Sequence, residues 1–378
     1  MMGNIPNDPF EQEPEYPLQP YYHPLHRVTR RVYDFLASAK LAMFLLVVIL
    51  VCCVTGVTVF RGGNSWNLIF SQLWFHGLLV LLVVNIACCF FGRIWRRRIT
   101  VISFGMILFH LSFVGMLLGI VFNSLYSFEG MLRLTEGETL PNNAPESYDF
   151  YNHGRFFSFS RLTGETQLVK LHWGYKDRGS NKAVAYEIAV TDGMNNKQGI
   201  IYVTKNLDFK GVWYFPEKEG YAPLVVLQDD KGNDLYGAFV PLQTLKQQDG
   251  TRIVTTGTKN GPTPMDFPKA PEKALFYVQM LYTPSQLDER GGEVAFRIWP
   301  PGDWNETKPP IASGKADIHK TFAMDGYRFN FREMRYWVGM RVRHDPGKPF
   351  ILACLWVGLA GMIITTAGRM MRGNKSRN

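Results

Sequence analysis

Residues 103–126 read SFGMILFHLSFVGMLLGIVFNSLY, and the rest of the chain is organised around them. The stretch is almost wholly apolar, long enough to cross a bilayer, and interrupted by one ionisable side chain, His110. The basic run GRIWRRR, residues 92–98, stands immediately before it, and residues 127–345 after it are soluble in character. This segment reads as the last of three N-terminal membrane helices, the one that hands the chain to the outer side of the membrane.

Working outward, four runs are long and apolar: Leu41–Phe60, Leu73–Phe91, Val101–Leu125 and Phe350–Gly368. At about 1.5 Å per residue, about 20 apolar residues cross the roughly 30 Å hydrocarbon core. Buried core helices would be shorter, and the first, third and fourth runs carry no charge at all. The formal net charge is +9, which by itself would admit a nucleic-acid partner. Position argues against one. Arg27, Arg30, Arg31 and Lys40 precede the first run, Arg93 and Arg96 to Arg98 lie between the second and third, and Arg369, Arg372, Lys375 and Arg377 follow the fourth. With four spans all three groups fall on one side, and the excess of Lys and Arg makes that side the cytoplasm. Anionic lipid headgroups are then the natural partners of these charges, and nucleic acid is not.

The five cysteines, Cys52, Cys53, Cys88, Cys89 and Cys354, all fall inside the apolar runs. The soluble region therefore has no disulfide framework, no C-x-x-C redox pair and no thiolate metal site. The first apolar run lacks a small-residue cleavage site and reads as a retained signal anchor. Residues 127–348 change grammar: short β-branched and aromatic runs such as AVAYEIAVTDG, GIIYVTK and GEVAFRIWPPGDW alternate with turn signals, among them Asp230-Lys231-Gly232-Asn233. The expected architecture is a membrane α-helical protein with four transmembrane helices (3+1) and a large all-β extracytoplasmic domain. Its parts are a flexible cytoplasmic tail (1–26), a basic amphipathic interfacial segment (27–40), three transmembrane helices (41–126), the β-rich domain (127–348), a fourth transmembrane helix (349–369) and a basic cytoplasmic tail (370–378). Trp66 and Trp74 are placed like interfacial anchors, and Gly115 with Gly119 forms a small-xxx-small pair for close helix approach.

Motifs that would name a reaction are missing. There is no phosphate-binding glycine loop, no H-E-x-x-H, no nucleophile-elbow serine and no C-x-x-C-H. Glu136, Glu138, Asp229 and Asp230 read as exposed turn carboxylates, and no catalytic residue is assigned. His23 and His26 read as solvated, and His153, His172 and His319 lack the spacing of metal ligands. His110 remains, near mid-bilayer, where an ionisable group is expensive and faces a partner helix or a cavity. A neutral imidazole there is either a ligand, to haem iron among others, or a structural group hydrogen-bonded across a helix interface. His76, near the outer end of the second run, is a weaker candidate, since water at the headgroup boundary satisfies a histidine there.

Several phrases together resemble one family. FLASAKLAMFLLVVIL, LWFHGLLVLLVVNIACC and FHLSFVGMLLGIVF are similar to the three opening spans of the ResB-like (CcsB-type) membrane proteins of system II cytochrome c biogenesis. FEGMLRLTEGETL resembles the start of their outer domain, and YWVGMRVRHDPGKPFILACLWVGLAGM their approach to the last span. The resemblance implies work beside a CcsA/ResC-type membrane protein, carrying haem b transiently across the bacterial inner membrane and presenting it to apocytochrome c on the periplasmic side. It also implies that His110 is a haem ligand, with no metal beyond the haem iron. The partner's Trp-rich haem-handling motif is absent, so the chain is not expected to be catalytic alone but at most part of a cytochrome c haem lyase complex. The other reading is a non-catalytic membrane scaffold whose outer β domain docks onto a redox or cytochrome complex.

Overall fold

The computed structural model describes residues 24–60, 66–94, 100–246, 252–258, 261–269, 272–285, 290–302, 304–305, 308–324 and 326–375. The N-terminal tail up to residue 23, most of the basic run before the third span, the end of the C-terminal tail and the side chains of His26 and Trp66 lie outside what is described. Two units emerge, one of Met1–Val121 with Phe350–Asn378, the other of Phe122–Pro349.

The helical unit begins with α1 (Pro24–Leu36), which starts inside the expected tail. Proline suits a first helical turn, where its missing N–H has no partner to lose. The three apolar runs form α2 (Ala39–Thr58), α3 (Leu73–Ile94) and α4 (Val101–Tyr126), and the fourth forms α5 (Lys348–Lys375). All four are long and apolar enough to cross a membrane. Leu45 of α2, Ile69, Phe75, Leu79 and Leu82 around α3, and Leu117 of α4 make one buried cluster. Between α1 and α2 the chain breaks at Ala37 and Ser38, which leaves Leu36 O without a backbone donor among the described residues, while Ser38 O accepts Ala42 N–H at 3.2 Å. Asn85 of α3, fully buried, ties the break: its Nδ2 donates to Leu36 O at 2.6 Å and to Ser38 O at 3.1 Å.

Helices α4 and α5 approach through small residues. A Cβ at Gly361 would sit 2.7 Å from both Gly105 O and Phe109 N, one at Gly115 2.8 Å from Cys354 Sγ, and one at Gly119 2.8 Å from Ile351 Cγ1. At Gly361 the backbones themselves approach, and at Gly115 and Gly119 the missing side chain makes room for Cys354, Ile351 and Phe350, so the small-xxx-small pair is spent on α5.

In the other unit every strand pair among the described residues is antiparallel. Its spine is β8 (Val212–Asp229) against β19 (Tyr327–His344), each 18 residues long. β1 (Phe128–Thr135) adds to β19 and β3 (Tyr148–His153) to β1, while β7 (Leu207–Phe209) and β9 (Asp234–Phe239) pair with β8. A second sheet is built on β4 (Glu165–Asp177) and β5 (Ser180–Thr191). A third runs in the order β10 (Gln243–Lys246), β11 (Arg252–Thr255), β15 (Phe276–Pro284), β16 (Gly292–Trp299), β17 (Ala312–Asp317). Leu134, Leu168, Ile188, Val225, Met280 and Val338 are fully buried where the sheets meet. The turn between β8 and β9 falls where the sequence places it: Asp229 Oδ1 accepts Asn233 N–H at 2.7 Å, and Gly232 takes φ +87°.

One carboxylate differs from its sequence reading. Glu136 is buried at 6 % exposure, because the turn after β1 points it into the junction of the three larger sheets. Its Oε1 accepts Leu171 N–H of β4 at 3.0 Å, its Oε2 accepts Arg290 at 2.9 Å just before β16, and its own N–H donates to Tyr336 O of β19 at 2.9 Å. Glu138, by contrast, is exposed and closes the turn by accepting Thr135 N–H at 2.7 Å.

Surface carboxylates tie the loops. Lys210, with the backbone N–H groups of Asn195 and Met194, holds Asp192 down to about 2. His172 and Gln198 lower Glu187, and Asn233 lowers Asp229. Each pKa lies lower in the folded chain than in the unfolded one, so the stability they add is present above about pH 4 and is lost as pH falls through the folded values. Thermal unfolding of the β unit is therefore expected to show a flat Tm at neutral pH and a decline from about pH 4 towards pH 2; a Tm already falling between pH 7 and 5 would contradict this.

Candidate functional site

His110 is the tenth residue of the 26-residue helix α4, about 14 Å along an element of roughly 38 Å. It is half-buried. Its Nδ1 lies 2.8 Å from Met106 O, one turn back on its own helix. A carbonyl only accepts, so Nδ1 carries a proton, and in the neutral form of the ring the lone pair stands at Nε2. No hydrogen-bond partner for Nε2 occurs among the described residues. The ring of Phe90, on α3, lies beside the imidazole with centroids 4.0 Å apart and planes inclined at 33°, and Phe109 meets it edge-on at 5.4 Å.

This arrangement bears on the two chemical readings of His110. A structural histidine would spend its nitrogens across a helix interface; this one bonds only to its own helix and keeps the ligating nitrogen available. The intrahelical bond does what a second partner does at many metal sites, fixing the tautomer and the direction of the ring. Phe90 stacks on the face of the imidazole and steadies that ring. The residues would thus offer one imidazole nitrogen to a haem iron, with no second ligand from the described residues.

His76 uses the same device, its Nδ1 2.8 Å from Gln72 O, but it is buried at 6 % exposure in the first turn of α3. Since Phe90 touches His110, the 14 residues from His76 to Phe90 place the two histidines about 20 Å apart along the helix axes. Two ligands on one metal ion, each with a bond of about 2 Å, need nitrogens about 4 Å apart. His76 and His110 are not brought together.

Of the remaining histidines, His172 Nε2 is 2.9 Å from Glu187 Oε2 and His153 Nδ1 2.9 Å from Gly154 O. No group of three or more His, Cys, Asp or Glu able to hold a metal ion occurs among the described residues. Sequence reasoning missed Phe90, which carries no signal inside an apolar run. It also missed Asn85, whose amide in the middle of LLVVNIACC was the signal available.

Comparison with curated proteins gives no match. The family model described as the ResB-like family matches residues 100–372, which take in α4 with His110, the whole β unit and nearly all of α5. The chain belongs to the ResB-like family, and with it to the machinery of cytochrome c biogenesis.

Proposed function

We propose that this chain is the accessory subunit of a system II cytochrome c synthase, working beside a CcsA/ResC-type membrane protein to carry haem b across the bacterial inner membrane and present it to apocytochrome c. The observation that carries the reading is the free, pre-oriented Nε2 of His110 within a membrane helix, backed by the Phe90 ring. Haem is the cargo; His110 would supply one nitrogen to its iron, Phe90 steadies the imidazole by stacking on it, and the second ligand would come from the partner. A half-buried site suits a shared role, because a cargo that must leave cannot be enclosed by one subunit. The β unit, on the periplasmic side by the positive-inside argument, receives the apocytochrome. His76 takes no part in that ligation.

The test is haem staining of cellular protein after deletion of the gene. Loss of covalent haem from every c-type cytochrome, with b-type cytochromes unchanged and restoration by the intact gene, is the expected result. Loss confined to one redox complex would favour the scaffold reading and overturn this one.

A further inference from the structure

Strand β8 has an uncovered stretch on one edge. Its other edge pairs with β19 from end to end, but the outer edge is covered only by β7 at Val212–Tyr214 and by β9 from Leu224 onward. Two backbone bonds extend the β9 side, from Val240 N–H to Pro223 O at 2.9 Å and from Leu242 N–H to Tyr221 O at 2.8 Å. The next rung would join Glu219 to Thr244. It is not made, because residues 243–246 turn away as β10 to pair with β11. The indole of Trp337 stands at the fork, its Nε1–H donating to Leu242 O at 2.8 Å. Gly220 makes room for it: a Cβ there would strike both that carbonyl and the indole nitrogen.

In an antiparallel strand the N–H and C=O of a residue point the same way, and alternate residues share a side. The carbonyls of Tyr221 and Pro223 face away from β19, so both backbone groups of Glu219 do too. The N–H groups of Val240 and Leu242 face β8, so those of Thr244 face the fork. Neither residue has a strand partner on that side among the described residues. The fork opens into a cleft of about 810 Å³ whose walls include Trp173, Tyr282 and Tyr336. Among the described residues Trp173 Nε1–H is buried there without an acceptor, an unsatisfied donor that an incoming acceptor would relieve. The Glu219 carboxylate sits at the mouth, accepting the Tyr186 hydroxyl at 2.8 Å.

We infer that this fork is a docking site for an extended, locally unfolded segment of another polypeptide, bound by strand addition. Backbone donors and acceptors at strand spacing recognise a peptide backbone, which neither a lipid nor a nucleic acid offers. An apolar or aromatic side chain of the incoming strand enters between Trp173, Tyr282 and Tyr336, a carbonyl of it accepts from Trp173 Nε1–H, and a basic residue beside it meets Glu219. The site is independent of His110 and of haem.

The experiment is fluorescence anisotropy on the haem-free full-length protein in neutral detergent, with a fluorescein-labelled peptide Lys-Val-Lys-Phe-Lys-Val-Lys-Phe-Lys. Saturable binding is expected, weakened about ten-fold by N-methylation of alternate peptide amides, by Thr244→Pro or by Trp173→Phe, the loss of one hydrogen bond in a dry site. Thr244→Pro removes only an edge N–H, which a sheet tolerates. Trp173→Phe removes an unsatisfied donor, so its melting temperature should hold or rise while its affinity falls. A peptide that fails to bind, that binds both variants like wild type, or that is indifferent to N-methylation overturns the inference. So does slow hydrogen exchange at the Glu219 and Thr244 amides of the free protein, which would mean that the fork is already filled by this chain or by a second copy.

Discussion

His110→Gly should leave cells with covalent haem on their c-type cytochromes reduced far below wild type, while the variant accumulates in the membrane at the normal level. The imidazole hydrogen-bonds only to Met106 O of its own helix and touches Phe90 and Phe109 by ring contact. Removing it costs α4 no cross-helix bond, so the fold survives. What is lost is the Nε2 lone pair, for which no hydrogen-bond partner occurs among the described residues. Loss of an outer-shell partner costs a metal site roughly 10–100-fold, and loss of the ligand itself should cost at least that. His76→Gly is the internal control: about 20 Å away along the helices, it should leave maturation intact. Haem staining with immunoblotting of the variant measures both; equal loss in the two variants would place the effect in folding and not in ligation.

Glu136→Ala should produce the largest loss of stability in the β unit. The carboxylate is 6 % exposed and is shared by β4, through Leu171 N–H, and by Arg290 at the approach to β16. Alanine leaves the Leu171 N–H buried without an acceptor and releases Arg290, which lies over the Tyr336 ring with 5.6 Å from Cζ to the centroid. Hydrogen bonds to a charged group contribute about 1.5–3 kcal/mol each, and Arg290 is half exposed, so the sum is about 3 kcal/mol. For a unit of this size that is a fall in Tm of roughly 6–12 °C. Glu136→Gln keeps an acceptor for Leu171 and should lose less than half as much. Calorimetry of both variants decides it, and equal, small losses would mean that the three sheets are held by their apolar core alone.

The spans were legible because the bilayer demands about 20 apolar residues in a row and the chain has four such runs. His110 was legible for the converse reason, an ionisable group where lipid penalises one. Which face of each helix is buried was not written in the sequence. Lipid and helix interior both accept apolar side chains, so no periodic polar stripe separates Phe90, which meets His110, from its neighbours. In the β unit, strand content was readable from alternation and turn chemistry, but pairing was not. β8 and β19 find each other across the 97 residues of chain between them (230–326), and nothing local encodes that register. Glu136 shows the consequence. Beside Gly137 in a turn it reads as exposed, and it is buried because its partners come from positions 171, 290 and 336. The fork at Glu219 and Thr244 was hidden in the same way, being a property of which rung of a ladder is absent.

The most direct test is the optical absorption spectrum of the full-length protein purified together with the proposed CcsA/ResC-type partner, recorded for wild type and His110→Gly with and without added imidazole. The account predicts a haem Soret band in wild type, its loss or shift in the variant, and its recovery when imidazole enters the space that His110 vacates and offers the same nitrogen. A variant that retains wild-type haem content and an unshifted spectrum, indifferent to imidazole, would contradict it.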